Sequence, residues 1–252
     1  MGHGLALDKA AWASPWRTRS IRDKGILSLG LLLSAVTLPP VPSGMAVALA
    51  SAVLLLGPIR VAPAALWRIG WMPLLSILVG VATVAVSPTW AGGPGLVVTS
   101  AGLTTAGRLA IRAVAATLAM FTLACSTPVV DLFDALRRAK VPDALIEIAS
   151  LVYRLTEGLL ASVAAIRDAQ EARLGYATRS AAMRSASMGV AVLFLRSWDR
   201  ARRLEAGLAG RGYDDGLRTL GADRVRSGRF LACSVALLAT VAGLSILSVV
   251  FR

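Results

Sequence analysis

Acidic residues are missing from most of this 252-residue chain. Of its 14 Asp and Glu residues, none lies between Asp23 and Asp131, and none follows Asp223. A transporter that binds a cation within the membrane is expected to carry polar or acidic side chains at mid-membrane depth. We therefore expect that a transported ion does not bind to this chain.

Histidine and cysteine are also scarce. The chain has one histidine, His3, and two cysteines, Cys125 and Cys233, which both fall in apolar segments. A site for Zn²⁺, Ni²⁺ or Co²⁺ would need several such ligands close together. No Ser-His-Asp set and no phosphate-binding glycine loop occurs either. The sequence therefore predicts no catalytic residue, no metal site and no cofactor.

Long apolar runs dominate the composition. Hydrophobic residues make up 56% of the chain and charged residues 16%, with a mean hydropathy of +0.68. Several runs are long enough to cross a bilayer as helices, which takes about 20 residues, and they lack the alternation of barrel strands. The predicted fold class is an all-α integral membrane protein with about five transmembrane helices and a pair of long cytoplasmic helices.

The charged residues divide the chain into four parts. Residues 1–25 form a basic arm, residues 26–127 contain transmembrane helices 1–4, residues 128–228 are a charged block, and residues 229–252 contain the last transmembrane helix. The two apolar pieces within residues 26–59 are short, which leaves open whether both span the membrane. The positive-inside rule predicts that the arm and the charged block lie in the cytoplasm.

The net charge of +13 does not indicate nucleic-acid binding. Between Asp131 and Arg226 there are 16 Lys and Arg residues against 12 acids, so the excess lies mainly in flanks and short loops. A nucleic-acid surface would concentrate its cations in a stripe with aromatic side chains for stacking. We therefore predict that this chain lies in a lipid bilayer and does not bind nucleic acid.

The charged block predicts two long amphipathic helices, at 142–174 and 182–209. Apolar residues recur in the first at spacings of three and four, which is typical of one buried stripe. A short helix over 131–140 precedes them, and we expect Thr127 as its N-cap with Pro128 at the first helical position.

Similar motifs close these two helices. They are Glu171-Ala172-Arg173-Leu174-Gly175-Tyr176 and Ala209-Gly210-Arg211-Gly212-Tyr213. Ordinary helix ends explain each motif alone, with Gly as the left-handed C′ residue and Tyr as the apolar C″ residue. Two such ends in one polar block favour a pair of docking points, because an exposed Arg can bind a carboxylate of a partner through both arms of its guanidinium group.

Two further arginines, Arg108 and Arg112, share one face of the fourth predicted span. No acid in any span can pair with them. Their side chains either reach toward the outer interface or contact another membrane subunit.

The order of these motifs resembles the transmembrane T component of energy-coupling-factor (ECF) transporters, of the cobalt/nickel type. That family carries two short Ala-Arg-Gly-like motifs at the ends of two cytoplasmic coupling helices, matched here by Ala172-Arg173-Leu174 and Ala209-Gly210-Arg211-Gly212. Leu174 replaces the Gly of the first motif, and Gly210 separates Ala209 from Arg211, so the alignment of the residues flanking Arg211 stays open. Supporting matches are Leu7-Asp8-Lys9-Ala10, Ser14-Pro15-Trp16-Arg17, Lys24, Ser126-Thr127-Pro128, Ala135-Leu136-Arg137-Arg138 and Val141-Pro142.

The resemblance implies a non-catalytic subunit of a cobalt importer in the bacterial inner (cytoplasmic) membrane, with its N-terminus in the cytoplasm. It also implies two cytoplasmic ABC ATPases as partners, one anchored by Arg173 and one by Arg211, and a separate membrane subunit, the S component, that carries the metal ion. A nickel or other ECF importer is the alternative within the same class. The implied docking residues are Arg173, Arg211, Ala172, Leu174, Ala209, Gly210 and Gly212.

Two other classes of protein are less favoured. A small membrane enzyme acting on lipid head groups would need its acids at Asp214, Asp215 and Asp223, where the turn-like Tyr-Asp-Asp-Gly favours a solvated turn. A permease that works without an ATPase is disfavoured by the missing polar groups at mid-membrane depth.

Overall fold

A computed structural model describes residues 3–89, 95–212 and 227–250. These residues form two compact units, one from residues 1–135 with 222–252 and the other from residues 136–221. The helices are α1 (His3–Ala13), α2 (Ile21–Thr37), α3 (Met45–Leu56), α4 (Pro63–Ala85), α5 (Ser100–Ala124), α6 (Val129–Arg138), α7 (Asp143–Ala172), α8 (Arg179–Ala209) and α9 (Gly228–Val250). The predicted all-α membrane class is confirmed.

One short β-hairpin interrupts the helical order. Strand β1 (Val86–Thr89) pairs antiparallel with β2 (Gly95–Val98), and Val86 lies opposite Val98. This uncharged stretch between two apolar helices is rich in Gly and Pro, a composition that is typical of a loop. The valines at both ends suit a strand, although four residues per strand are too few for the sequence pattern to reveal one.

Four helices in the described part of the chain are long and apolar enough to cross a membrane. They are α4, α5, α7 and residues 228–247 of α9. Helices α2 and α3 have 17 and 12 residues, fewer than the roughly 20 of a typical helical span. The prediction for α7 was a cytoplasmic helix, and composition alone does not separate it from the spanning helices. Its charged residues, which include Arg154 and Glu157 near the middle of the helix, favour a position outside the lipid, which stays a prediction.

The core of the first unit surrounds α5. Helices α2, α3 and α4 all pack against it. Small residues on one face, including Ala115 and Ala119, are fully buried and let neighbouring helices approach closely. The main apolar cluster comprises Leu27, Leu31, Ala35, Val47, Ala115, Ala119 and Val241. Helix α5 thus packs through this one face, and its exposed residues lie on its other faces.

The start of α6 differs from the prediction. The helix begins at Val129, and the backbone N–H of Val129 donates to Oδ1 of Asp8 at 3.1 Å. Thr127 was predicted to be the N-cap. A carboxylate 121 residues away accepts the first amide instead, which also suits the positive end of the helix dipole. A local sequence rule cannot find such a cap because its acceptor belongs to another element.

Candidate docking site

The first motif lies at the C-terminus of α7. Helix α7 ends at Ala172, and Arg173 follows as its C-cap with φ −96° and ψ 15°. Leu174 then takes a left-handed conformation with φ 57°. All three residues are exposed, and the Leu174 side chain is 76% exposed. The backbone therefore presents Arg173 on an open helix end.

Two backbone hydrogen bonds close this end as a Schellman motif. The N–H of Leu174 donates to the carbonyl of Glu171 at 3.0 Å, and the N–H of Gly175 donates to the carbonyl of Gln170 at 2.8 Å. This pattern makes Leu174 the C′ residue and Gly175 the C″ residue. The prediction that Gly175 is C′ and Tyr176 is C″ was wrong by one position. A leucine thus occupies a conformation that normally selects glycine.

Gly175 joins the end of α7 to α8. The Ser185 hydroxyl donates to the carbonyl of Gly175 at 2.9 Å, and its oxygen lies 3.4 Å from Oε1 of Gln170. A Cβ added to Gly175 would lie 2.5 Å from Oγ of Ser185 and 2.9 Å from the carbonyl oxygen of Gln170. Sequence reasoning missed Ser185, because a serine inside a polar helix carries no signal of its own.

The second motif repeats this geometry at the end of α8. Arg211 donates its backbone N–H to the carbonyl of Leu208 at 3.0 Å, and Gly212 donates to Ala209 at 3.2 Å. Gly212 has φ 67°, so it takes the left-handed position as predicted for a glycine in this motif. Residues 209–212 are all exposed. Tyr213, and the acids Asp214, Asp215 and Asp223, lie outside the described residues.

The two ends therefore align without an insertion. In each, an arginine bonds back three residues, and the next residue is left-handed and also bonds back three residues. Gly210 takes the place of Ala172, Arg211 that of Arg173, and Gly212 that of Leu174. The alignment around Gly210, which the sequence left open, follows from the backbone.

Helices α7 and α8 run in opposite directions. Gly158 of α7 lies against the Arg200 guanidinium, and Ile166 approaches Gly189, where an added Cβ would be 3.5 Å from Cγ2 of Ile166. Ser185 then meets Gly175 past the end of α7. Because α8 has 31 residues, its ends lie about 46 Å apart. The two motifs are therefore at opposite ends of one helix pair.

The chemistry at these ends is that of two exposed cations. Between described residues, neither the Arg173 nor the Arg211 guanidinium makes a hydrogen bond or an ion pair. No three His, Cys, Asp or Glu side chains come together as metal ligands among the described residues. Each arginine can accept a partner's carboxylate without first breaking a bond within the described chain.

Arg108 and Arg112 have different surroundings. Nη2 of Arg112 donates to the carbonyl of Leu38, the C-cap of α2, at 3.2 Å, and its buried Nε has no partner. Arg108 is exposed. Arg112 thus holds the end of α2 within the chain, whereas Arg108 is open to contact from outside.

Together, the apolar helices and the separate helical unit define a multi-pass membrane protein with two matched arginine-tipped helix ends. The sequence profile of the CbiQ family, described as cobalt transport protein, matches residues 13–220. The chain belongs to this family of cobalt transport proteins, and it is accordingly a membrane component of cobalt transport.

Individual relatives agree with the family match. The cobalt transport protein CbiQ of Rhodobacter capsulatus is 38% identical over 216 residues, which are 85% of this chain and 87% of that protein. The cobalt transport protein CbiQ of Salmonella typhimurium is 32% identical, covering 75% of this chain and 88% of that protein. A protein of Methanocorpusculum labreanum, provisionally named a fused cobalt transport protein CbiMQ, is 28% identical over 82% of this chain and 36% of its own length.

Proposed function

We propose that this chain is the energy-coupling membrane subunit of an ECF-type ABC importer for cobalt ions. In this role it binds no ion and hydrolyses no ATP. It passes the movement of two cytoplasmic ABC ATPases to a separate membrane subunit that binds the metal. The chain lies in the bacterial inner (cytoplasmic) membrane with its N-terminus in the cytoplasm, as the distribution of Lys and Arg favours.

The equivalence of Arg173 and Arg211 carries this proposal. Both arginines precede a left-handed residue, both are exposed, and they lie at opposite ends of α8. A symmetric ATPase dimer offers the same surface twice, so two matched cations suit it better than one. A guanidinium fork adds geometric specificity to such a contact because it binds a carboxylate through two hydrogen bonds.

The other members of the site support a close approach. Ala172, Ala209, Gly210 and Gly212 are small, so a partner surface can reach the backbone beside each arginine. Leu174 is 76% exposed and adds one apolar contact at the first end. We propose these residues as the surround of the two arginines.

A membrane partner is supported by the name of one relative. The relative named as a fused cobalt transport protein, CbiMQ, aligns with this chain over only 36% of its length. A fused arrangement is expected where two subunits work side by side. We therefore propose a separate metal-binding membrane subunit, the S component, as the partner of this chain, with Arg108 as a candidate contact.

The test is charge reversal at both helix ends. We expect Arg173→Glu and Arg211→Glu each to weaken co-purification of the ATPases, and the double variant to abolish it together with cobalt uptake. Membrane insertion should be unchanged, since both side chains are exposed. Matched controls are Arg196→Glu and Arg203→Glu, two exposed arginines of α8 that lie in neither motif, which should retain ATPase binding.

Normal ATPase binding by the double variant would refute the docking assignment. Uptake by purified complexes in vesicles then identifies the cargo. Cobalt uptake that depends on ATP supports the proposal, and ATP-dependent uptake of nickel alone would replace cobalt by nickel while keeping the energy-coupling role.

A further inference from the structure

A polar ladder joins α2 to the end of α5. The Lys24 side chain is fully buried, and its Nζ donates to the carbonyl of Ser126 at 2.9 Å. One turn further along both helices, the hydroxyls of Ser28 and Thr122 are 2.9 Å apart in a buried hydrogen bond. Ser28 follows Lys24 by four residues, and Thr122 precedes Ser126 by four residues, so the two hydrogen bonds have the same spacing on both helices.

Helix α1 contacts the same region through Asp8. The Asp8 carboxylate is 7% exposed; Oδ1 accepts the backbone N–H of Val129 at 3.1 Å, and Oδ2 accepts Nε1–H of Trp12 at 3.0 Å. Ser126 and Val129 both belong to the connection between α5 and α6, the α5–α6 corner, which we define as residues 125–129. An ammonium group thus holds a carbonyl of this corner, and a carboxylate holds an amide of the same corner.

Burying these two charged groups is unfavourable unless each is well bonded. Apolar side chains at these two positions would avoid this cost. Charge-assisted hydrogen bonds to backbone groups are directional and strong, so they resist a change in the angle of the corner more than apolar contacts do. The arrangement is therefore better suited to keeping the corner rigid than to simple packing.

We propose that Asp8 and Lys24 are positioning residues for energy coupling. They fasten the α5–α6 corner to α1 and α2, so a force that enters through α6 moves α2 and α5 instead of bending the corner. This inference rests on the proposed energy-coupling function. It assigns to the N-terminal arm a role in transmission, which neither its basic composition nor its aromatic residues indicate.

The test measures cobalt transported per ATP hydrolysed. The variants are Asp8→Ala, which removes the acceptor, and Lys24→Met, which keeps the length of the side chain but removes the charge and the donor. The matched control is Lys9→Met, the same substitution at an exposed position of α1. We expect Asp8→Ala and Lys24→Met to retain ATPase binding and ATP hydrolysis within twofold, while cobalt transported per ATP falls at least tenfold.

Two milder variants separate positioning from folding. Asp8→Asn keeps an acceptor oxygen for Val129 and should restore at least half of the coupling lost in Asp8→Ala. Trp12→Phe removes the N–H that orients Asp8 and should reduce coupling two- to threefold. If Lys24→Met does not accumulate in membranes, the Asp8 series and Trp12→Phe decide the question.

Unchanged cobalt transport per ATP in the folded Asp8→Ala complex would overturn the inference, as would equal losses in Lys9→Met. The outcome is separable from that of the proposed function. If the unmodified chain binds no ABC ATPase, the energy-coupling role fails; if it binds and couples normally while the Asp8 and Lys24 variants do so too, only the positioning role fails.

Discussion

Leu174 and Gly212 adopt the same left-handed backbone conformation, with φ 57° and 67°, and each directly follows an arginine. Leucine is strained in this conformation, whereas glycine is not. The shared conformation matters because it ends the helix and turns the chain away directly after Arg173 and Arg211. A leucine and a glycine thus adopt the same backbone conformation at the two helix ends.

Replacing Leu174 by Gly should stabilise the end of α7. A left-handed conformation costs a non-glycine residue about 1–2 kcal/mol, and the greater freedom of glycine in the unfolded chain offsets roughly 0.5–1 kcal/mol of the gain. Leu174 is mostly exposed, so little packing is lost. We expect a net gain of about 0.5–1 kcal/mol, measured as a higher thermal midpoint of the detergent-solubilised chain and slower amide exchange at Gly175.

The matched variant is Gly212→Ala, which adds the strain at the other end. It should lower stability by about 1 kcal/mol. A stability loss on Leu174→Gly would contradict the strain interpretation.

Gly175→Ala should distort the C-terminal end of α7, which is the first of the two proposed docking points. Its Cβ would lie 2.5 Å from Oγ of Ser185 and 2.9 Å from the backbone oxygen of Gln170, and contacts this short force a shift. We expect weaker ATPase co-purification with membrane insertion unchanged. Adding Ser185→Ala removes one of the two contacts but leaves the carbonyl of Gln170, so binding should recover only in part.

The control for this prediction is Gly207→Ala. An added Cβ at Gly207 meets nothing within 4 Å, and alanine favours a helix interior, so ATPase binding should be retained. Full ATPase binding by Gly175→Ala would show that the end of α7 tolerates a shift without loss of docking.

Arg112→Gln should lower the stability of the chain. It removes a charge-assisted hydrogen bond to the carbonyl of Leu38, and such bonds contribute about 1.5–3 kcal/mol. Part of this is offset because the buried Nε no longer lacks a partner. We expect a loss of about 1–2 kcal/mol, measured as a lower thermal midpoint.

Arg108→Gln is the comparison at the exposed position one turn away. It should leave the thermal midpoint unchanged and reduce co-purification of the metal-binding membrane subunit. If Arg108→Gln changes neither quantity, its side chain only extends toward the outer interface, which is the other interpretation of this pair.

Much of the architecture could be predicted because it depends on local periodicity. The apolar runs predicted spanning helices within residues 26–127 and 229–252, and the structure has α4 and α5 in the first range and α9 at Gly228–Val250. Amphipathic spacing likewise located α7 and α8. The β-hairpin after α4 could not be predicted, because each strand has only four residues.

The candidate site was predictable in part. Arg173 and Arg211 were identified from the repeat of an arginine among small residues, and both lie at exposed helix ends. The C′ residue of the first motif was misassigned, because sequence rules place glycine at the left-handed position and here Leu174 occupies it. Ser185 was missed, because its role depends on a contact with Gly175 from another helix.

The sequence by itself determined the class of this protein, since a chain with apolar runs of membrane length, no acid between Asp23 and Asp131 and a separate charged block has few other ways to fold. Its motifs also determined the family resemblance. Only the tertiary structure decided that Asp8 caps α6, that Lys24 bonds to Ser126, and that Gly210 aligns with Ala172. Those relationships join residues far apart in the chain or depend on backbone conformation, and neither leaves a local pattern in the sequence.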